Sequence, residues 1–226
     1  ADDATAPHEA GPRKDYRLLA ETLQAKTIDR SSVNRSGVLR RLARLVGMSP
    51  LQAWLAFRDR RRYDVIMTDG EQIGLPLALL LKMARSRVSH VTIGHRLTAP
   101  KKRPFFTWLK VHTHMSCIAL HSQRQYDLAT TELGIPAQRL ALIPYQVDAT
   151  FWQPMDVPEE RLICSAGLEF RDYPTLVRAV EDLDVSVIIG AASHWSKRRN
   201  TASGESLPSN VQVSSFDYDA LRSLYA

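Results

Sequence analysis

The 226-residue sequence predicts an α/β protein with two parallel-sheet domains, the second of them incomplete. Three observations lead there. From Tyr63 onward, short apolar runs alternate with amphipathic stretches of helical period. The runs are separated by whole helices and not by the tight turns of hairpins, the pattern of parallel strands joined by crossover helices. A stretch with three prolines and no period, Pro144 to Pro158, splits the alternation in two.

Residues 1–14 are rich in Ala, Pro, Asp and Gly without periodicity and read as a disordered lead-in. A first amphipathic helix is expected over Asp15 to Gln24. Ser36 caps a second, VLRRLARLV, which Gly47 ends, and Ser49 followed by Pro50 opens a third, LQAWLAFRDRRR. The first strand is Val65-Ile66-Met67, followed by the turn Asp69-Gly70-Glu71 and a helix through Pro76 to Met83. A strand His90 to Ile93, a helix Phe105 to His114 and a strand Cys117 to Leu120 come next. Ser122 with Gln125 three residues on is a capping-box signature for a helix that Gly134 ends, ahead of a strand Leu140 to Ile143.

Residues 144–160 read as a linker between a first domain, 15–143, and the second, 161–226. The second begins with a strand Leu162 to Ser165, a turn at Gly167, a helix Tyr173 to Leu183 and a strand Val185 to Ile189. A polar loop reaches Asn210, and a strand Val211 to Val213 leads to a last helix from about Asp217. That helix carries Leu221, Leu224 and Tyr225 at helical spacing with no following strand to cover. The expectation is half a domain, mobile from Arg161 onward and unable to catalyse alone.

Composition narrows the function. A content of 44% hydrophobic and 24% charged residues is that of an ordinary globular protein. Cys117 and Cys164 stand far apart in apolar runs, so neither a disulfide framework nor a thiolate metal site is indicated and a reducing cytoplasm fits. The longest apolar stretch, Leu75 to Leu81, is far shorter than the roughly 20 residues of a membrane span. No Ser/His/Asp triad, paired-His zinc spacing or calcium loop can be assembled. The net charge of +6 is polarised: residues 1–113 hold 21 Lys/Arg against 10 Asp/Glu, or +11, and residues 114–226 hold 9 against 14, or −5. A basic half can face nucleic acid, anionic lipid or phosphorylated substrates. Arg35 to Arg62 concentrates that charge, with eight arginines against Asp59 alone, next to Trp54 and Phe57. An anionic membrane surface or a lipid-linked acceptor suits this pattern, as does a solvated helix face. Nucleic acid ranks lower, since no binding motif and little aromatic interleaving accompany the arginines.

Ligands of open α/β sheets sit outside the carboxyl ends of the strands, so the residues after each strand are the chemical candidates. These are Asp69 and Glu71, His95 and Arg96, Gly167 through Arg171, and Ser193 through Arg199. The segment Ser165 to Pro174 is a strand, a glycine turn and a helix N-terminus with Arg171 beside it, which outlines an anion site. Equally, Arg171 could be a surface residue paired with Glu169 or Asp172, and its glycine content is too low for a P-loop or dinucleotide fingerprint. His95 and its neighbours have a structural alternative too, and Lys197, Arg198 and Arg199 could be a solvated loop.

The stretch LGIPAQRLALIPYQVD (133–148), followed by Phe151 and Pro154, resembles the interdomain crossover of family 4 glycosyltransferases. Ser122-Gln123-Arg124, Tyr63-Asp64-Val65-Ile66 with His95, Ser165-Ala166-Gly167, and Arg171 to Leu176 resemble flanking segments of the same family. The similarity runs from about Tyr63 to the end. It implies the GT-B architecture of two Rossmann-like domains, a nucleoside diphosphate-sugar donor on the second and an acceptor on the first. It further implies transfer with retention and no bound metal or other cofactor, with protein cations handling the diphosphate. By similarity Arg171 takes the place of the donor-phosphate lysine and His95 that of the acceptor-domain histidine. Gly167, Lys197 and Arg198 join the donor side; Asp69, Glu71 and Arg96 join the acceptor side. The chain departs from the family at Tyr145-Gln146, where Asn-Gly is usual, and at Leu168, where an arginine is usual. The paired glutamates of the family would lie beyond Ala226. A saccharide or lipid-linked acceptor follows, at a cytoplasmic or inner-membrane peripheral location; a nucleotide-sugar epimerase and a non-catalytic nucleotide-sugar-binding module are the alternatives.

Overall fold

A computed structural model describes residues 11–168, 171–191 and 207–225. The chain divides into two compact units, one of Tyr16–Gln146 and one of Val147–Ala226 joined by the stretch that ends at Asp15. Each is an α/β unit on a parallel sheet, as the alternation predicts.

The first unit opens with α1 (Asp15–Thr22), α2 (Arg30–Asn34), α3 (Gly37–Val46) and α4 (Met48–Asp59). Short α2 was not expected; Asp29 starts it by accepting from the Ser32 amide at 2.9 Å. Ser36 caps α3 and Gly47 ends it, as expected, but Ser49 does not cap α4. That helix already begins at Met48, which puts Pro50 in its first turn, where a missing N–H costs nothing. Then come β1 (Val65–Thr68), α5 (Glu71–Met83), β2 (Ser89–Gly94), α6 (Arg103–Thr107), β3 (Cys117–Leu120), α7 (Gln123–Thr131) and β4 (Leu140–Leu142). The helix expected over Phe105 to His114 is broken because Lys110 takes a left-handed φ of 45°, so α6 stops early and a 3₁₀ turn, Val111–His114, follows.

The sheet is parallel throughout with order β1-β2-β3-β4. Ile66, Thr68, His90, Thr92, Ile118 and Leu120 share one face by register, and the burial of the last five shows it covered. Val65 and Met67, on the opposite face of β1, remain 55% and 44% exposed. Under the covered face, Thr68 Oγ1 donates to Thr92 Oγ1 at 2.8 Å and lies 3.1 Å from His90 Nε2. Burial pushes the His90 imidazole down to about 4, so it is neutral at pH 7. Helix α5 approaches this polar cluster through Gly74: a methyl group there would stand 2.5 Å from Thr92 Oγ1 and 2.9 Å from Thr68 Oγ1. Gly74→Ala should therefore lower stability by about 1–3 kcal/mol, despite the better helix propensity of alanine, as read by urea unfolding. An unchanged midpoint would refute this close packing.

The second unit has the order β5 (Leu162–Ala166), β6 (Ser186–Gly190), β7 (Val211–Ser214), again parallel. Helix α8 (Tyr173–Val180) lays Tyr173, Val177 and Val180 on Val187, Ile189 and Val211. The Asn210 amide donates to the Val180, Leu183 and Val185 carbonyls at 2.8–3.2 Å and fastens the end of α8 to β6. The last helix, α9 (Tyr218–Tyr225), leaves Tyr225 49% exposed, with its ring 6.2 Å from that of Trp152, while Arg222 stands over Phe151. Arg13 grips Asp148 with its backbone amide, Nε and Nη2 at 2.9–3.1 Å, which ties the start of the chain to the 147–152 segment.

Candidate functional site

In each unit the described residues among those singled out from sequence lie at or just beyond the carboxyl ends of the strands. In the first unit β1 runs into Asp69 and Gly70, β2 into His95 and Arg96, β3 into His121, and β4 into Ile143-Pro144-Tyr145. Asp69, His95 and Arg96 are exposed.

Glu71 is different. It opens α5, where a negative charge suits the helix dipole, and it is only 1% exposed. Its carboxylate accepts from the His95 and Arg96 amides, each at 3.0 Å, and from the Lys102 ammonium, which also bonds the Arg96 carbonyl at 3.2 Å. Burial alone would push the Glu71 carboxyl up, but the Lys102 ammonium and the His95 amide outweigh it and hold the group below its ordinary range. Glu71 is thus a positioning residue for the loop that carries His95. Gln125 assists: instead of completing a capping box, its Oε1 accepts from the Leu97 amide at 3.2 Å. Ser122, for its part, makes no side-chain cap bond.

Sequence reasoning overlooked Lys102 and His121. The latter could have been found by the rule that found His95, since it too is the first residue after its strand. The His95 and His121 ring centroids are 6.1 Å apart, and those of His121 and Tyr145 5.0 Å, the spacing of packed rings.

In the second unit Gly167 follows β5 with a φ of 106°, a conformation suited to glycine. Its amide donates to the Gly190 carbonyl at 3.0 Å, and its carbonyl accepts from the Tyr173 hydroxyl. Arg171 lies over this turn: a methyl group on Gly167 would stand 3.6 Å from Arg171 Nε and 3.8 Å from Nη2. Among the described residues Arg171 makes no ion pair, and Asp172 is not its partner. Asp172 instead caps α8, accepting from the Thr175 amide at 3.2 Å. The helix N-terminus expected to be open is therefore mostly taken up, which leaves the Tyr173 amide. Thr175 is capped, Pro174 has no N–H, and the Leu176 amide bonds the Asp172 carbonyl at 3.3 Å. An anion here would be held by the exposed Arg171 guanidinium more than by the helix. Lys197, Arg198 and Arg199 lie outside the described residues.

A cleft of about 410 Å³ opens elsewhere, lined by Arg60, Arg61, Arg85 and Arg87 with Asp64. It sits at the amino ends of β1 and β2, the end of an open sheet that ligands do not ordinarily use.

No protein-family model and no curated protein matches the chain. Among solved structures it is similar to the crystal structure of Anabaena Alr3699/HepE in complex with UDP, at 16% identity and a TM-score of 0.49 over 79% of this chain and 51% of that one. It is also similar to Acinetobacter baumannii MurG, at 11% identity and 0.39 over 92% and 55%, and to the glycosyltransferase SnogD from Streptomyces nogalater, at 17% and 0.36 over 76% and 52%. The chain spans about half the length of each of these structures.

Proposed function

We propose that the protein is a retaining glycosyltransferase of the GT-B type, akin to family 4, which takes a sugar from a nucleoside diphosphate donor. The observation that carries this reading is the Arg171 guanidinium lying over the Gly167 turn at the carboxyl end of β5, within a segment that also resembles the donor side of that family. A guanidinium fork there meets the diphosphate with charge-assisted hydrogen bonds worth about 1.5–3 kcal/mol each and stabilises the leaving-group charge as the glycosidic bond breaks. His95, fixed by Glu71, would position the transferred sugar on the acceptor side. Calorimetric titration with UDP-, GDP- and ADP-linked sugars tests the reading: at least one should bind, and silence across the panel would remove it.

The acceptor side of the proposal includes an anionic membrane surface at the inner face of a membrane. Supporting it, α3 turns Val38, Leu42, Leu45 and Val46 outward at 74%, 39%, 84% and 50% exposure. They recur at helical spacing, so they form one apolar stripe. Arg40, Arg41 and Arg44 are exposed on the same helix and make no ion pair among the described residues. Each such cation near an anionic leaflet contributes about 1 kcal/mol, and the stripe can enter the headgroup region. Among the described residues no helix is long and apolar enough to cross the membrane, so this contact would be peripheral. In a sedimentation assay the protein should follow vesicles containing phosphatidylserine at low salt and release at high salt, with Leu45→Glu weakening both. Equal recovery with neutral vesicles would rule out the charge-driven docking.

A further inference from the structure

We infer that His95, His121 and Tyr145 form a ring platform on which a pyranose ring of the acceptor stacks, with Tyr145 as its principal contact. The inference rests on the glycosyltransferase reading above and assigns a subsite within it.

Topology brings the three together. In a parallel sheet of order β2-β3-β4, the residues that leave neighbouring strands at their carboxyl ends become neighbours themselves. Gly94, Leu120 and Leu142 end those strands, so His95, His121 and Tyr145 leave in a row. The rings are tilted at 31° and 59° to their neighbours, with centroids 6.1 and 5.0 Å apart. The row is held from both sides. Glu71 fixes the backbone of His95, and the Pro144 carbonyl lies 3.3 Å from His121 Nδ1. A carbonyl only accepts, so Nδ1 donates to it and Nε2 is left to meet a hydroxyl.

Tyr145 supplies the open surface. It is 79% exposed, a large ring with a polar tip left to water at the end of an open sheet where ligands bind. A pyranose ring has the matching character, with a face of C–H groups and a rim of hydroxyls. The C–H face can lie on the Tyr145 ring while a rim hydroxyl donates to His121 Nε2. Asparagine, which the resemblance would place at this position, has no ring face to offer, so the subsite is a property of this chain and not of the likeness.

The test measures binding of a panel of methyl pyranosides (glucoside, galactoside, mannoside and N-acetylglucosaminide) by saturation-transfer NMR, with UDP titrated in parallel. The proteins are the wild type, Tyr145→Ala, Tyr145→Phe, His121→Ala and Arg171→Ala. At least one pyranoside should bind the wild type, and Tyr145→Ala should weaken it at least about fivefold while Tyr145→Phe retains most of the affinity. His121→Ala should weaken it as well, and Arg171→Ala should not. Absence of pyranoside binding to the wild type, or equal binding to Tyr145→Ala, overturns the platform. Dependence of UDP on Tyr145 without any effect on pyranosides also overturns it, since the ring would then hold a base. Pyranoside binding that follows Tyr145 in a protein indifferent to UDP leaves the platform standing and defeats the donor reading instead. Because Tyr145 is so exposed, its replacement should leave the melting temperature unchanged, which separates loss of the subsite from loss of the fold.

Discussion

Arg171→Ala is expected to raise the dissociation constant of the nucleoside diphosphate-sugar at least tenfold, about 1.4 kcal/mol, while acceptor binding stays unchanged. The size of the effect follows from how little else in the described part of this site can serve an anion. The turn offers the Leu168 amide and α8 the Tyr173 amide, but the Gly167 amide is spent on Gly190 and the rest of the α8 N-terminus is taken up by Asp172 and Pro174. One guanidinium thus carries most of the charge recognition. The same geometry predicts an opposite sign next door. The Asp172 carboxylate, lowered in pKa chiefly by its hydrogen bond to Thr175, is fully ionised at neutral pH and repels a phosphate. Asp172→Asn keeps a capping oxygen and removes the charge, so it should tighten donor binding. Calorimetry on the two variants checks both signs; equal affinities would mean that the diphosphate does not sit at this turn.

Glu71→Ala should cost roughly 3 kcal/mol, a fall in melting temperature on the order of 10 °C, and should unfasten the His95 loop. The substitution strands the Lys102 ammonium and two backbone amides that share one carboxylate. The low end of the range for broken buried pairs applies because the Lys102 side chain is 27% exposed. Hydrogen exchange at the His95 and Arg96 amides should rise first. The pH dependence has a definite sign. Glu71 titrates below its ordinary 4.5 in the folded protein, so its stabilisation is complete above about that pH. It is lost as the pH falls through the folded value. Between pH 6 and pH 3 the wild type should lose more stability than Glu71→Gln, whose amide does not titrate; parallel losses would show that Glu71 is not the anchor.

The sheets were legible because their signals are local and redundant. The runs expected at 65–67, 90–93, 117–120, 140–143, 162–165, 185–189 and 211–213 each coincide with a strand, with ends displaced by at most one residue. Caps were read with mixed success for a physical reason. Ser36 caps through a partner three residues on, the Leu39 amide, whereas the Gln125 side chain bonds the Leu97 amide, a partner 28 residues away that no local pattern reveals. The break at Lys110 escaped notice because a lysine rarely adopts a left-handed φ.

Sequence placed His95, Arg96, Asp69, Gly167 and Arg171 in the segments that follow strands, and that is where they lie. It could not see that Glu71 turns inward, because an acid after a strand looks the same whether it faces water or bonds two amides. Nor could it tell that Asp172 fills the α8 N-terminus, since the same Asp-x-Pro-Thr pattern serves a helix cap and a phosphate site alike. Both distinctions depend on side-chain direction, which spacing does not encode.

Amide chemical-shift mapping of the full chain during a titration with UDP asks whether the donor binds at the carboxyl end of the second sheet, as proposed. The largest shifts should fall at Gly167, Leu168, Arg171 and Gly190, and they should vanish in Arg171→Ala. Shifts concentrated on Arg60, Arg61, Arg85 and Arg87, at the opposite end of the first sheet, would contradict it and move the nucleotide to the arginine-lined cleft.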